Sequence, residues 1–381
     1  MKIAIAGAGA MGCRFGYMLL GAGHDVTLID GWHEHVNAIC SNGLFVETEV
    51  SQQYYPIPAM LADESQGEFE LIILFTKAMQ LDRMLQHIKP LLPAAKVVMI
   101  LSNGLGNIET LEKYVDRQKI YAGVTLWSSE LEGPGHIMAT GTGTIELQPV
   151  ASQDAALEEN IVAVLNSAGL NAEISPDVLL SIWKKAAFNS VMNTYCALLD
   201  CNVGGFGQLP GALDLAQAVV DEFVLVAASQ NIPLSGEMVM NTVKKVFDPR
   251  ESGHHYPSMY QDLQKGRLTE IDYLNGAIAR IGMQNNIPVP VNTLLTQLIH
   301  AKEAQYTQRL FRMVRKSLCQ TSFFASASLW RIRSGARSRS CCTSPINRRS
   351  VSIICALVEE IAALRVACSS AMVYRHSVAC C

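Results

Sequence analysis

Apolar positions along this chain follow two rhythms. Over residues 1–174, short apolar runs bounded by glycine, proline or polar clusters alternate with helix-length amphipathic stretches. The runs Lys2 to Ala6, His24 to Ile29, Glu70 to Phe75 and Lys96 to Leu101 read as strands, as do Ile120 to Val124, His136 to Met138, Thr144 to Leu147 and Asn171 to Ile174. Strands alternating with helices predict a mostly parallel sheet whose ligands lie beyond the carboxyl ends of its strands. After Pro176 the strand signals fade, and helical periodicity runs from Val178 to about Ala304. The expected fold class is α/β, with a dinucleotide-binding domain over 1–174 and an all-helical domain over 175–304.

The helical half opens with its most informative stretch, Ile182 to Asn193, where Lys185, Asn189 and Asn193 recur at intervals of four. That spacing puts one ammonium and two carboxamides in a row along a helix whose other positions, among them Trp183, Ala187, Phe188, Val191 and Met192, call for burial. An unpaired polar group in an apolar setting costs about 1 to 3 kcal/mol. The row therefore faces a cleft filled by water, substrate or cofactor, or else it is solvated or satisfied by hydrogen bonds within the core.

The first strand runs straight into Gly7-Ala8-Gly9-Ala10-Met11-Gly12 and then a helix-like pattern. This is GxGxxG in the strand-turn-helix context that a dinucleotide pyrophosphate needs, with the helix N-terminus offering free N–H groups to the phosphates. The next strand ends at Asp30, 18 residues past Gly12, where a carboxylate can accept from both ribose hydroxyls of an adenosine or serve only its own turn. It would repel a 2′-phosphate, and the following Gly31, Trp32 and His33 supply no cation to bind one. NAD(H) is therefore the expected cofactor and NADP(H) the alternative. Two further strand ends carry polar residues: Thr76 and Lys77 in one, Asn103 and Gly104 in the next. Lys77 could contact cofactor phosphate or substrate, and Asn103 could bridge the two, although either could be a turn residue.

Two later segments stand out, YPSMYQDL with Ser258 and TEIDYLNG with Glu270, Asp272 and Asn275. A helix over Arg267 to Ile281 would place Glu270, Leu274 and Ala277 on one side, making Glu270 the candidate cleft residue, or a glutamate near a helix start.

Taken together, GAGAMG, the Lys77 and Asn103 strand ends, KxxxN at Lys185 to Asn189 with Asn193 beyond, and SMYQD followed by TEIDYLNG resemble the ketopantoate reductases, over about residues 1–304. The resemblance implies a Rossmann-type first domain and a second domain like that of 6-phosphogluconate dehydrogenase. Asp30 departs from the basic residue that NADPH-using members carry, and with ILFTKAMQ and LEGPG it looks more like the NAD-dependent D-2-hydroxyacid branch, whose members reduce bulky or branched 2-oxo acids such as benzoylformate to D-mandelate. By resemblance Lys185 is the general acid and Glu270 binds the nascent hydroxyl or orients the lysine. Asn103, Asn189, Asn193 and Ser258 would position the substrate, and Gly7 to Gly12, Asp30, Thr76, Lys77 and Asn103 the cofactor. A homodimer formed through the helical domain is a further family-level expectation, as is a NADPH-dependent 2-dehydropantoate 2-reductase for the alternative reading.

Composition alters this picture mainly at one end. Apolar residues make up 49% of the chain and charged residues 17%, as in a compact soluble protein. Residues 1–304 carry a net charge of −14 and residues 305–381 one of +10. Cysteine divides the same way, with Cys13, Cys40, Cys196 and Cys201 in the first part and seven in the second. The early cysteines have no CxxC spacing and read as reduced thiols of a cytoplasmic protein, with no metal site. The apolar start could pass for a signal peptide, but its glycines are better explained by the dinucleotide turn. Val351 to Val373 is apolar enough to suggest a membrane span, yet it contains Glu359, Glu360 and Arg365, each costing about 2.5 to 3.5 kcal/mol at mid-bilayer. The tail, dense in Arg, Ser and Cys, reads as an unstructured or out-of-frame segment rather than a nucleic-acid arm.

Overall fold

The fold is built outward from a buried strand, β1 (Lys2–Ala6), whose side chains alternate between two cores. Ile3 and Ile5 enter one cluster, while Ala4 and Ala6 enter the other, on the opposite face of the sheet. The computed structural model describes residues 1–151, 154–248, 250 and 253–306, all within one unit, Met1–Met313. The expectations for the tail and for Val351 to Val373 fall outside the described residues.

In chain order β1 is followed by α1 (Ala10–Gly21), β2 (Asp25–Asp30), α2 (His33–Asn42), β3 (Leu44–Glu47), β4 (Gln52–Tyr55) and β5 (Ala59–Leu61). Then come β6 (Leu71–Leu74), α3 (Leu81–His87), β7 (Val97–Ile100), α4 (Asn107–Leu111) and β8 (Ile120–Thr125). The sheet-rich half closes with β9 (Glu130–Gly133), β10 (His136–Met138), β11 (Ile145–Pro149), α5 (Ala155–Ser167) and β12 (Ala172–Ile174). The main sheet has the order β12-β11-β8-β7-β6-β1-β2-β5. Its central strands are parallel, and only β11 runs antiparallel to its neighbour β8. The sequences LIIL and VVMI of β6 and β7 are unbroken apolar runs because both of their faces are covered. Strand order reverses between β1 and β6, the topological switch point where such sheets bind ligands.

One expectation for this half needs correction. His136 to Met138 is a strand, but it lies in a second sheet of order β4-β3-β10-β9. The edge strands of that sheet, QQYY and ELEG, have only exposed and half-buried positions, so they offer no apolar run to read. Arg14 ties α1 to this region. Its guanidinium lies over the Trp127 ring and donates to the carbonyls of Ser128, Thr140 and Gly141.

The second half begins with α6 (Val178–Leu199), followed by α7 (Val203–Gly207), α8 (Ala212–Ser229), α9 (Gly236–Val246) and α10 (Ser258–Gln264). After a 3₁₀ turn, Ile271–Tyr273, come α11 (Asn275–Gln284) and a last helix, α12 (290–306). The backbone of α6 is capped at both ends. Asp177 Oδ1 accepts from the Leu180 N–H at 3.0 Å, and Lys302 Nζ donates to the carbonyls of Ala197 and Leu198 and to Asp200. From Ser190 to Ala197 every residue of α6 is buried, because α8, α9 and α10 all pack on it. Buried polar groups knit this bundle. Asn275 joins Thr194, the Ser190 carbonyl and Asn292, and Asn292 joins the Glu222 carboxylate.

Candidate active site

At the switch point, the turn after β1 can be made only by glycine at its first position. Gly7 has φ +95°, and a Cβ there would fall 2.4 Å from the Thr76 nitrogen. A Cβ on Gly12 would likewise strike the Gly7 carbonyl oxygen, whereas Gly9 faces open space. The turn leads into α1, whose N-terminus has no side-chain cap, so its first N–H groups remain available to an anion. Ala8 is buried against the sheet, and Ala10 and Met11 are partly exposed. A bare helix N-terminus behind an open glycine fits a dinucleotide diphosphate.

Asp30 ends β2 beside this turn, partly exposed, and its Oδ1 accepts from the Trp32 N–H at 2.9 Å. It thus has the turn role that sequence left open, with its second carboxylate oxygen making no hydrogen bond among the described residues. Because β6 neighbours β1, Thr76 and Lys77 also reach the switch point. The Thr76 hydroxyl donates to the Ala6 carbonyl, so Thr76 floors the glycine turn. The Lys77 ammonium pairs with Asp262 of α10. Asp262 is only 4% exposed and also meets Arg267 Nε at 3.0 Å. Sequence reading gave Asp262 no role. The available signal was a carboxylate set between the core residues Met259 and Leu263.

Lys185 comes from the helical half. Its Nζ donates to the carbonyl of Thr125, at the end of β8, at 2.7 Å. Burial pushes its pKa down to about 8, with the Glu270 carboxylate opposing the fall. For Glu270 the signs are reversed: burial raises its pKa, against hydrogen bonds from the Ala78 N–H and the Asn103 side chain and the nearby charge of Lys77. The Ala78 bond measures 3.1 Å. Lys185, Glu270, Asn103 and Lys77 are thus gathered at the ends of β6, β7 and β8.

The expected helix over Arg267 to Ile281 does not form. α10 ends at Gln264, Gly266 beyond it has φ +66°, Glu270 leads a 3₁₀ turn, and α11 begins only at Asn275 after Leu274 departs from helical geometry. Tertiary hydrogen bonds override the helical period here. The Leu105 N–H donates to the Tyr273 carbonyl at 2.8 Å, fastening the Asn103 loop to the Glu270 turn.

Asn189 and Asn193 continue the Lys185 row along α6, Asn193 buried and Asn189 partly so, and neither carboxamide makes a hydrogen bond among the described residues. Ser258 is exposed in the first turn of α10, which packs on α6, four residues before Asp262. It is not joined to the Lys185 cluster by a hydrogen bond among the described residues.

Known proteins share this arrangement of halves. Residues 3–152 match the family model described as Ketopantoate reductase PanE/ApbA, and residues 177–303 match the model of its C-terminal part. The chain belongs to the ketopantoate reductase family. It is an oxidoreductase with a Rossmann-type dinucleotide-binding half and a helical C-terminal half. Over 306 residues it is 46% identical to the 2-dehydropantoate 2-reductase of Lactococcus lactis subsp. lactis, covering 80% of this chain and 98% of that relative. Among solved structures it is similar to a D-mandelate dehydrogenase in a ternary structure with NADH and anilino(oxo)acetate, with a TM-score of 0.79 and 44% identity over 81% of this chain and 100% of that one. A putative 2-dehydropantoate 2-reductase from Enterococcus faecalis follows at 43% identity and a TM-score of 0.65, covering 81% and 99% of the two chains.

Proposed function

We propose that this member of the ketopantoate reductase family reduces a bulky or branched 2-oxo acid to the D-2-hydroxy acid with NADH. The observation that carries the reading is the gathering of Lys185, bonded to the Thr125 carbonyl, and Glu270, bonded to the Ala78 N–H and close enough for its charge to act on the lysine, at the carboxyl ends of β6 to β8 beside the glycine turn. When bound, the reduced nicotinamide supplies a hydride to the substrate's carbonyl carbon. Lys185, aimed by the Thr125 carbonyl, gives its proton to the carbonyl oxygen and stabilises the negative charge that grows there. A pKa of about 8 leaves it mostly protonated near neutral pH yet able to release the proton. Glu270 orients the lysine and receives the nascent hydroxyl. The carboxamides of Asn189 and Asn193 and the Ser258 hydroxyl hold the substrate, and Asn103 fixes it against the nicotinamide end. Gly7 to Gly12 and Thr76 hold the cofactor diphosphate, with Lys77 nearby.

The choice of NADH is supported by the Asp30 carboxylate, which would repel a 2′-phosphate, and by the likeness to the NADH-bound D-mandelate dehydrogenase. That likeness also supports the D configuration and the bulky side group. The 46% identity to a 2-dehydropantoate 2-reductase favours a second reading, NADPH-dependent reduction of 2-ketopantoate. We divide the chain functionally into a cofactor domain, 1–174, a substrate domain, 175–304, and a tail, 305–381, dispensable for the reaction. Initial rates with NADH and with NADPH against benzoylformate, 2-ketoisovalerate and 2-ketopantoate test the assignment. Faster turnover of benzoylformate with NADH is expected, and a marked preference for NADPH with 2-ketopantoate would replace the first reading by the second.

A further inference from the structure

The helix α12 reaches back to the turn that carries Glu270. His300 and Glu303 lie one turn apart on it. Glu303 is only 9% exposed, and its Oε1 accepts both from the Thr269 N–H at 2.8 Å and from the Thr269 hydroxyl at 2.7 Å. Its Oε2 meets His300 Nδ1 at 2.9 Å, and His300 Nε2 meets Asp272 Oδ1 at 2.9 Å. Residues 269 and 272, which flank Glu270 and Ile271, are therefore both held from one helix. Thr269 is itself buried, and its Oγ1 also accepts from the Ile271 N–H.

The charges suit a rigid grip. Hydrogen bonds to Asp272 and Glu303 raise the His300 pKa to about 10 against the cost of burial, so both ring nitrogens carry protons at neutral pH and each serves one carboxylate. For Glu303, burial opposes ionisation, but the bonds from His300 and Thr269 outweigh it and the carboxyl sits below its ordinary pKa. Arg280 faces the same corner, donating to the Asp272 carbonyl. A side chain that takes both the N–H and the hydroxyl of one buried residue fixes backbone and rotamer together.

We propose that Glu303, backed by His300, is a positioning residue for the reaction: its grip on Thr269 sets the backbone from which Glu270 accepts from the Ala78 N–H and holds its charge near Lys185. The inference rests on the roles given to Lys185 and Glu270 above. A loosened turn leaves Glu270 displaced from Lys185, and the lysine then loses the carboxylate that holds its pKa up.

Steady-state kinetics of the full chain test this through the alkaline limb of the kcat/KM profile for 2-oxo acid reduction, read at temperatures where circular dichroism shows each variant folded. Thr269→Val removes the hydroxyl donor at nearly constant volume and leaves the His300–Glu303 pair intact, while Glu303→Ala removes the grip. Because misplacing a catalytic group by about 1 Å can cost ~100-fold, Glu303→Ala is expected to lower kcat by about 10- to 100-fold with KM within about threefold. The alkaline limb should move to lower pH in both variants, further in Glu303→Ala, and Glu303→Gln, which keeps an acceptor, should recover part of kcat. An unmoved limb and unchanged kcat in Thr269→Val and Glu303→Ala, with only the melting temperature reduced, would make the grip purely structural and overturn the proposal. If Glu303→Ala does not fold, the limb of Thr269→Val decides alone. Lys185→Arg separates the two levels, since arginine does not titrate in this range. Should the limb survive that substitution, the role of Lys185 fails first and the positioning proposal falls with it.

Discussion

Lys185 is a strong base weakened by its surroundings, and that makes its role measurable. Burial favours the neutral amine, and Glu270 restrains the shift, leaving a pKa of about 8. Reduction needs the protonated form, so kcat/KM for the 2-oxo acid should fall as pH rises through about 8, while oxidation of the hydroxy acid should rise over the same interval. Rate profiles in the two directions check this, and parallel profiles would remove Lys185 from the proton transfer. Loss of the amine in Lys185→Ala should cost on the order of 10²- to 10⁴-fold in kcat, the range for one acid-base group. Asp30 offers a second residue-level test. With one oxygen tied to the Trp32 N–H, its side chain is fixed at the end of β2, and Asp30→Ala should narrow the preference for NADH over NADPH by roughly tenfold, about one lost charge contact. A ratio of kcat/KM values that does not move would show that Asp30 serves only its turn.

At the scale of elements, what was readable from sequence depended on whether local pattern and tertiary contact agreed. β1, β6 and β7 are buried on both faces, so their apolar runs announced them, and α6 kept Lys185, Asn189 and Asn193 on one face because nothing interrupts its hydrogen bonds between Asp177 and Asp200. The stretch from Arg267 to Ile281 failed for the opposite reason. Its periodicity is helical, but Thr269 is gripped by Glu303, from 34 residues away, and Tyr273 by the Leu105 N–H, and those long-range bonds break the helix where Glu270 must turn. The Lys77–Asp262 pair, 185 residues apart, was unreadable on the same ground. Gly104 shows how tightly these elements meet: it has φ +91°, and a Cβ there would lie 2.7 Å from Tyr273 Cβ and 2.8 Å from the Tyr273 carbonyl oxygen. Gly104→Ala should therefore part the Asn103 loop from the Glu270 turn, destabilising the fold by about 1 to 3 kcal/mol through backbone strain alone and lowering kcat as well. Denaturant unfolding together with turnover would show whether both change.

For the molecule as a whole, the final described helix decides where the chain can be cut. α12 supplies three separate supports: Lys302 at the C-terminal carbonyls of α6, Glu303 on Thr269, and His300 between two carboxylates. A boundary at 304 retains all three, and one at 306 also keeps Tyr306, whose hydroxyl accepts from Gln264 Nε2 at 3.1 Å. Ending the chain after Tyr306 should leave kcat within about threefold of the full chain, whereas ending it at Ala301 should abolish turnover, because Glu270 and the end of α6 both lose their anchors at once; changes on neighbouring anchors do not simply add. The dependence of stability on pH gives an independent reading of the same helix. The folded-state pKa of His300 is raised from 6.5 to about 10, so its contribution is complete below pH 6.5 and is lost as pH climbs through 10. The melting temperature of the chain ending at Tyr306 should therefore exceed that of its His300→Gln variant by a margin that is widest at pH 6 and closes toward pH 10. A margin that stays constant across that span would mean that the imidazole acts as a neutral hydrogen-bonding spacer, and the anchoring of Thr269 would then rest on Glu303 alone.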